Sequence, residues 1–261
     1  MTRNTPAPLP SRREFLGVTA TALVALACGL DSNDDSEYGG GNARLTARHA
    51  APTETITPGT WPLSDTNANA GALIVPPGYN PSQPTPLVLA FAGATGTPAN
   101  SIALLGSYAQ SNNFLLLAVG ASGLTWDVIT YKFSYDVLAI DDALKSTYRR
   151  CNVDAARTTV LGFSDGATYA LGMGLCNGDV LRRVVAFSPG FIPRADSPYV
   201  GKPEFFVSHG RQDGVLNIDN ASRKIVPALR GKGYTVTYEE FDGGHQVPPG
   251  IATEAVEWLL S

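Results

Sequence analysis

Short apolar runs alternate with longer helical patterns from residue 72 to the C-terminus of this sequence. The apolar runs lie at 72–75, 87–92, 114–119, 158–162, 183–187, 204–208 and 234–241, and the helical patterns at 98–111, 133–149, 165–176, 219–230 and 251–260. Because strand, helix and strand in succession form a βαβ unit, this order predicts parallel strands. Two runs, at 87–91 and 114–119, are apolar at consecutive positions, as in strands covered on both faces. We therefore predict an α/β fold with a mostly parallel central sheet flanked by helices.

The composition fits one domain of ordinary globular size. Of 261 residues, 44% are hydrophobic and 16% are charged, so one sizeable core can form without a second domain. The formal net charge is −4, which argues against nucleic acid as a partner. We predict a single folded domain over residues 43–261.

The histidines and cysteines are too dispersed for a metal site. His49, His209 and His245 form no cluster, and neither Cys151 nor Cys176 has the spacing of a metal ligand. We therefore expect no metal. Cys151 and Cys176 could pair in an oxidising compartment, although two separate buried thiols are the simpler interpretation.

The first 28 residues have the pattern of a twin-arginine export signal. The sequence SRREFL precedes a mildly apolar run at 17–27, which is too short to span a bilayer. The signal ends either at a small-residue cleavage site before Cys28 or at a lipobox acylated on Cys28, which would tether the protein to a membrane. Residues 29–42 are polar and glycine-rich, and we predict a disordered linker there. The expected location is exported: periplasmic, lipid-anchored or secreted.

One helical pattern, at 133–149, has a single apolar stripe. The stripe consists of Phe133, Val137, Ile140, Leu144 and Tyr148. Asp136, Asp141 and Asp142 lie largely off this stripe, so we expect a solvated charged face or an ordinary salt bridge for these carboxylates.

The sequence GFSDG at 162–166 matches the pattern G-x-S-x-G, which is weak evidence alone in a glycine-rich chain. Its context makes it informative, because a predicted strand precedes Ser164 and a predicted helix follows it. A serine at such a strained turn between strand and helix is placed to act as a nucleophile. Its hydroxyl then needs a base and an orienting carboxylate.

The chain order supplies both partners after later strands. Asp213 follows the strand at 204–208, and His245 follows the last strand. All three residues thus lie beyond the carboxyl ends of predicted parallel strands, at one edge of the sheet. Asp219 and Asp242 are alternative acids, but we expect Asp219 to cap a helix and Asp242 to lie too near His245 along the chain.

Acyl transfer also needs N–H donors for the developing oxyanion. We assign one donor to the backbone of Asp165, directly after the candidate nucleophile, and the other to the backbone of Ala94 in the glycine-rich loop after the strand at 87–92.

His209 lies near Asp213 in sequence, and we expect it to pack or hydrogen-bond at the end of its strand.

Several stretches in order resemble bacterial α/β-hydrolases of the phospholipase/carboxylesterase group: PLVLAFAGATGTP, TTVLGFSDGATYALGMGLCNGD, VVAFSPGF, FFVSHGRQDGVL and EEFDGGHQVP. The resemblance spans about residues 70 to 260. It implies hydrolysis of carboxylic esters without a cofactor, with Ser164 as nucleophile, Asp213 as acid and His245 as base. Relatives often have histidine where this chain has Ala92, so the oxyanion loop is expected to be held differently.

The segment between residues 187 and 204 is too short for an inserted cap domain, which predicts an open cleft. Trp126 and Phe191 follow strands at the same sheet edge and are candidates for the substrate-binding wall, with core packing as the alternative for Trp126. An open cleft favours short-chain or accessible polymeric esters. Alternative functions are a polyester depolymerase, a feruloyl-type esterase or a peptidase with the same three residues, or a non-catalytic surface lipoprotein.

Overall fold

A computed structural model of the chain describes residues 40–261. The predicted export signal at 1–28, with Cys28, and residues 29–39 of the predicted linker lie outside the described residues. Within residues 40–261, no helix has the length and apolar character needed to cross a membrane.

An eight-stranded sheet forms the centre of the domain, with strands β1 (Gly59–Pro62), β2 (Gly71–Val75), β3 (Thr85–Phe91), β4 (Leu115–Val119), β5 (Val153–Phe163), β6 (Arg183–Phe187), β7 (Glu204–Gly210) and β8 (Val236–Phe241). Their order across the sheet is β1-β2-β4-β3-β5-β6-β7-β8. The pairs β1–β2 and β2–β4 are antiparallel, and the other neighbours are parallel. The predicted mostly parallel sheet is confirmed. Strand β1 was not predicted, because its four residues are all exposed and have no hydrophobic pattern.

Helices cover both faces of the sheet: α1 (Pro98–Ser111), α2 (Asp127–Thr130), α3 (Tyr135–Arg150), α4 (Asp165–Cys176), α5 (Ser222–Gly231) and α6 (Pro249–Leu260). Alternate residues of β3 point to opposite sides. Leu87 and Leu89 belong to a core with residues of α3, α4 and α5, whereas Val88 and Ala90 belong to a core with residues of α1 and α6. Burial on both faces explains the consecutive apolar positions of this strand.

The folded domain includes residues that the sequence assigns to a linker. Gly40 N–H donates to the carbonyl of Arg194 at 2.7 Å, and Gly41 N–H donates to Asp196 Oδ2 at 2.7 Å. Gly41 also pairs with Phe133 in an isolated β-bridge. The predicted boundary at residue 43 is therefore too late, because the polar composition of this segment concealed its hydrogen bonds to distant residues.

We call residues 40–47 the N-terminal arm. Within it, Ala43, Leu45 and Ala47 are at most 1% exposed. Leu45 N–H donates to Asn177 Oδ1 at 2.8 Å, and Arg44 forms an ion pair with Asp179. The arm is thus fixed against the end of α4 by both apolar packing and polar contacts.

The predicted stripe is buried, and so are two of the three carboxylates of helix α3. The expected solvated position is found at Asp142, and the expected ordinary salt bridge at Asp141 with Lys145. Asp136 is 1% exposed and Asp141 is 6% exposed. Asp141 accepts hydrogen bonds from the N–H groups of Thr46 and Ala47 in the N-terminal arm and pairs with Lys145. Sequence patterns do not predict these roles, because both carboxylates bind backbone N–H groups. For Asp141 these groups also lie far away along the chain.

Cys151 and Cys176 are both buried and unpaired. Burial raises the pKa of each thiol to about 11, so both stay protonated at neutral pH. The interpretation as two separate core thiols is confirmed.

Candidate active site

Three side chains from distant parts of the chain meet at the carboxyl edge of the sheet. Ser164 directly follows β5, Asp213 follows β7 and His245 follows β8. The strands β5, β6, β7 and β8 are parallel neighbours, so the loops after them lie side by side. The topology places the three residues at one edge, as the sequence predicts.

Ser164 occupies a strained turn between β5 and α4. Its backbone has φ 57° and ψ −122°, a conformation that residues with a Cβ atom rarely adopt. The turn is tight on both sides. A Cβ at Gly162 would collide with the backbone of Gly166, and a Cβ at Gly166 would collide with the backbone of Phe91 and Ala92. The glycines of the GFSDG motif are therefore required by close backbone approach.

His245 bridges the other two side chains. Its Nε2 lies 2.8 Å from Ser164 Oγ, and its Nδ1 lies 2.6 Å from Asp213 Oδ2. Because a carboxylate only accepts, Nδ1–H donates to Asp213, and in the neutral imidazole Nε2 is then free to accept from the Ser164 hydroxyl. Phe163 packs on the imidazole with ring centroids 4.8 Å apart, which limits rotation of the ring.

Asp213 is held as a carboxylate by three hydrogen bonds and a close contact with His209. Its Oδ1 accepts from the N–H groups of Val215 and Leu216, each at 2.8 Å, and its Oδ2 contacts both His245 and His209. Burial alone would raise the pKa of Asp213, but the bonds from His209, His245 and Leu216 outweigh burial and hold the pKa well below its usual range. The carboxylate is thus ionised and fixed in orientation.

His209 is buried and hydrogen-bonded at the end of its strand, as the sequence predicts. The residue is fully buried, and its Nε2 lies 2.8 Å from the carbonyl of Leu216 and 3.2 Å from Asp213 Oδ2. Its Nδ1 lies 2.7 Å from the hydroxyl of Ser222. Because a carbonyl only accepts, Nε2 carries a proton and donates it to Leu216.

The alternative acids are engaged elsewhere. Asp242 pairs with Arg211 at 2.8 Å, and Asp219 pairs with Arg223 at 2.7 Å. Helix α5 begins at Ser222 after Ala221 as N-cap, so the expectation that Asp219 caps this helix is wrong. The helix starts three residues later than predicted.

The two predicted oxyanion donors have free N–H groups. Within residues 40–261, the backbone N–H groups of Ala94 and Asp165 donate no hydrogen bond. A Cβ added at Gly93 would lie 3.1 Å from Ser164 Cβ, so the loop carrying Ala94 runs directly beside the serine. Two unpaired donors therefore belong to residues beside the serine, where an oxyanion site would need them.

Trp126 lies in the core and not on a substrate-binding wall. It is 1% exposed and stacks on Tyr169 with ring centroids 4.6 Å apart. Its indole N–H donates to the carbonyl of Ala92 at 2.9 Å. The sequence allowed Trp126 either in the core or on the wall of the substrate pocket. In the structure it packs in the core against Tyr169 and Phe91.

A cavity of about 280 Å³ opens beside His245. Apolar side chains form most of its wall, and Asn100, Ser101 and Gln246 add polar groups; the full lining is Phe91, Ala92, Gly93, Asn100, Ser101, Leu104, Leu161, Phe163, His245, Gln246 and Val247. Phe191 is not among these residues. The sequence did not predict this wall, although Phe163 and Gln246 are direct neighbours of the candidate nucleophile and base and Val247 lies one residue further.

Within residues 40–261, no group of three or more His, Cys, Asp or Glu side chains is arranged to hold a metal ion. The polar groups at the sheet edge are instead engaged with one another, through His245 and Asp213.

Comparison with solved structures identifies the fold. Esterase PE8 matches with 21% identity and a TM-score of 0.60 over 73% of this chain and 97% of that chain. A truncated carbohydrate esterase from gut microbiota matches with 14% identity and a TM-score of 0.63 over 81% and 98% of the two chains. The carboxylesterase of Bacillus cereus matches with 18% identity and a TM-score of 0.55 over 70% and 90%.

No protein-family model matches the sequence, and no curated protein matches it. The similarity to known proteins therefore lies in the fold. The eight-stranded, mostly parallel sheet with its flanking helices is an α/β-hydrolase fold, as the sequence predicts.

Proposed function

We propose that this protein is a serine hydrolase that cleaves carboxylic esters, with Ser164 as nucleophile, His245 as base and Asp213 as the orienting acid. The observation that supports this most directly is the continuous pair of hydrogen bonds, 2.8 Å from Ser164 to His245 and 2.6 Å from His245 to Asp213. The same geometry of nucleophile, base and acid activates serine in unrelated hydrolases.

The reaction proceeds in two halves. Ser164 Oγ attacks the ester carbonyl carbon while its proton passes to His245 Nε2. The tetrahedral intermediate collapses when the imidazolium gives that proton to the leaving alcohol, and an acyl group remains on Ser164. Water then attacks the acyl-enzyme, His245 takes the proton of this water and returns it to Ser164 Oγ, and the carboxylic acid leaves. These steps use protein groups and water.

The free N–H groups of Ala94 and Asp165 bind the negative oxygen of each tetrahedral intermediate. Donors fixed before the reaction stabilise the charge as it develops, and one such donor contributes about 10²- to 10³-fold to kcat. Asp213 contributes by orienting His245 and stabilising the imidazolium, which its low pKa and three hydrogen bonds support.

The cavity beside His245 supports short or compact ester groups as substrates. At about 280 Å³, it is slightly below the usual range for drug-sized ligands, about 300–1,000 Å³. Residues 188–203 between β6 and β7 form a connection without a helix, so polymeric esters with accessible chains also reach the serine. Polyester depolymerase, feruloyl-type esterase and peptidase activities remain alternatives with the same three residues.

The test is hydrolysis of p-nitrophenyl esters from acetate to decanoate by the protein and its Ser164→Ala variant. We expect activity on short acyl groups, with a loss of several orders of magnitude in the variant at unchanged thermal stability. Ser107→Ala, at an exposed position of α1, is the matched control. A Ser164→Ala variant that retains its rate would contradict the assignment of the nucleophile, and a rate that rises steadily with acyl length would contradict the short-chain preference.

Fluorophosphonate labelling separates an enzyme from a non-catalytic surface lipoprotein. The wild type should be labelled on Ser164, whereas a binding protein without an activated serine should not react.

We also propose export through the N-terminal signal. Mass spectrometry of membrane and soluble fractions tests it, since acylation at Cys28 adds an acyl-glyceride unit to the mature mass.

A further inference from the structure

Three consecutive residues after β4 contact both sides of the candidate oxyanion site; we call Leu124, Thr125 and Trp126 the positioning segment. The carbonyl of Leu124 accepts from Thr95 N–H at 2.6 Å. The hydroxyl of Thr125 donates to Asp165 Oδ2 at 2.5 Å. The indole of Trp126 donates to the carbonyl of Ala92 at 2.9 Å.

These contacts fall directly beside the two free N–H donors. Ala92 and Thr95 flank the loop that carries Ala94, and the side chain of Asp165 belongs to the residue whose N–H is the second donor. Thr95 has a positive φ of 58°, which a residue with a Cβ adopts only when its surroundings hold it there. The bond to Leu124 provides one such restraint.

The positioning segment is itself anchored to helix α3. Buried Asp136 accepts from Ser122 N–H at 2.7 Å and from Asp127 N–H at 2.8 Å, one on each side of the segment. The ring of Trp126 packs against Phe91 and Tyr169. A segment fixed at both ends and by a buried ring holds what it contacts at a defined position.

We infer that the positioning segment sets the spacing between the Ala94 and Asp165 donors and thereby tunes stabilisation of the transition state. Trp126 and Thr125 are positioning residues, since neither is placed to touch the reacting atoms. The inference rests on the proposed esterase function. It also explains how a chain with Ala92, which has no polar side chain, holds its oxyanion loop.

Loosening the segment should affect the transition state more than the bound substrate. The ester carbonyl carries little charge before attack, whereas the tetrahedral oxygen carries a full negative charge. Displacement of a donor by a fraction of an ångström therefore lowers kcat and leaves KM nearly unchanged. A misplacement of about 1 Å can reduce the rate about 10²-fold.

The test compares the full chain with Trp126→Phe and Thr125→Val. Trp126→Phe retains a ring and removes the N–H donor, and Thr125→Val retains the shape and removes the hydroxyl. For each we expect kcat on p-nitrophenyl butyrate to fall about 10-fold or more at unchanged KM. Inhibition by butylboronic acid, which forms a tetrahedral adduct on a nucleophilic serine, should weaken by the same factor as kcat.

Two control variants make the comparison specific. Thr125→Ser retains the hydroxyl and should restore kcat. Trp258→Phe makes the same chemical change in α6, where the ring packs on Phe206 and its N–H has no partner within residues 40–261, and should leave kcat unchanged. If Trp126→Phe does not fold, the partly buried Thr125 still supplies the comparison of hydroxyl and methyl groups.

The outcomes separate this inference from the proposed function. A wild type without esterase activity or fluorophosphonate labelling would overturn both. An active wild type whose kcat and boronic acid inhibition are unchanged in Trp126→Phe and Thr125→Val would overturn the inference alone. A rise in KM at constant kcat would also overturn it, because the segment would then act on substrate binding.

Discussion

Ser164 combines a reactive position with an unfavourable backbone conformation. Its φ of 57° and ψ of −122° are accessible to glycine but strained for a residue with a Cβ, by about 1–3 kcal/mol. The surrounding sheet and helix hold this conformation, because Ser164 N–H donates to Phe187 and its carbonyl accepts from Ala167 and Thr168. The turn that projects the Ser164 hydroxyl therefore lowers the free energy of unfolding of the domain.

Replacing the serine in two ways should separate this strain from the chemistry. Ser164→Ala and Ser164→Gly both lose the hydroxyl and should both be inactive. We expect Ser164→Gly to have a free energy of unfolding about 1 kcal/mol higher than Ser164→Ala, since relief of strain exceeds the entropy of glycine in the unfolded chain. Urea denaturation of the two variants measures the difference, and a less stable glycine variant would show that the backbone is relaxed at this turn.

At the scale of elements, the junction of α2 and α3 brings the half-buried carboxylate of Asp127 close to the buried carboxylate of Asp136. Asp127 Oδ2 accepts from the N–H groups of Ser134 and Asp136, and its Oδ1 is buried without a partner within the described residues. Burial, and then the neighbouring Asp136 carboxylate, raise the pKa of Asp127 to about 6. This junction anchors the positioning segment, so its protonation affects the stability of that region.

The raised pKa of Asp127 predicts a pH dependence of stability. In the unfolded chain the carboxyl group loses its proton near pH 4, whereas the folded protein retains it to about pH 6. Unfolding therefore releases a proton in this window, and the free energy of unfolding should fall as the pH rises from 4 to 6.

The Asp127→Asn variant tests this dependence, since its amide oxygen still accepts from Ser134 but does not titrate. Wild type should lose stability relative to the variant between pH 4 and 6, measured by urea denaturation at each pH. A stability difference that is constant across this range would contradict the raised pKa.

The sequence predicts the bounds of an element accurately where a particular residue or turn marks its start. Helices α1 and α4 have the predicted bounds, because Pro98 starts one and the turn at Ser164 starts the other. Strand β1 and helix α2 lack such signals: four residues each allow no periodicity. The three candidate catalytic residues could be placed by their order after successive strands. The cavity wall and the contacts of Trp126 could not, because they depend on partners distant in sequence. The burial of Asp136 could not either, because its partners are backbone N–H groups, which side-chain patterns do not reveal.

At the scale of the whole molecule, the N-terminal arm joins segments far apart along the chain. It contacts Asp141 on α3, Asn177 and Asp179 after α4, and Asp196 in the loop before β7. Asp141 accepts two backbone N–H groups of the arm, from Thr46 and Ala47, and the Thr46 hydroxyl. Burial raises the pKa of Asp141, but the hydrogen bond from Lys145 and then the bonds from Thr46 and Ala47 outweigh burial and lower this pKa. The arm therefore binds a charged acceptor.

Asp141→Ala should release the arm. The substitution leaves two backbone N–H groups without their acceptor, which we expect to lower the free energy of unfolding by about 2–3 kcal/mol. Trypsin should then cleave faster after Arg44 and Arg48. Asp142→Ala changes the adjacent carboxylate, whose side chain is 82% exposed, and serves as the control. Equal trypsin sensitivity of the two variants would contradict the role of Asp141.

The arm also has a consequence for the order in which the protein folds during synthesis. Its partners lie about 95 to 155 residues further along the chain, so the ribosome must complete β6 and the loop that follows before the last contact can form. This segment is translated before the sheet strands but makes its last contacts late, after most of those strands have been synthesised. Docking of the arm therefore requires a nearly complete domain, and a nascent chain stalled before Arg194, whose carbonyl accepts from Gly40 N–H, should still present Gly40 to a protease.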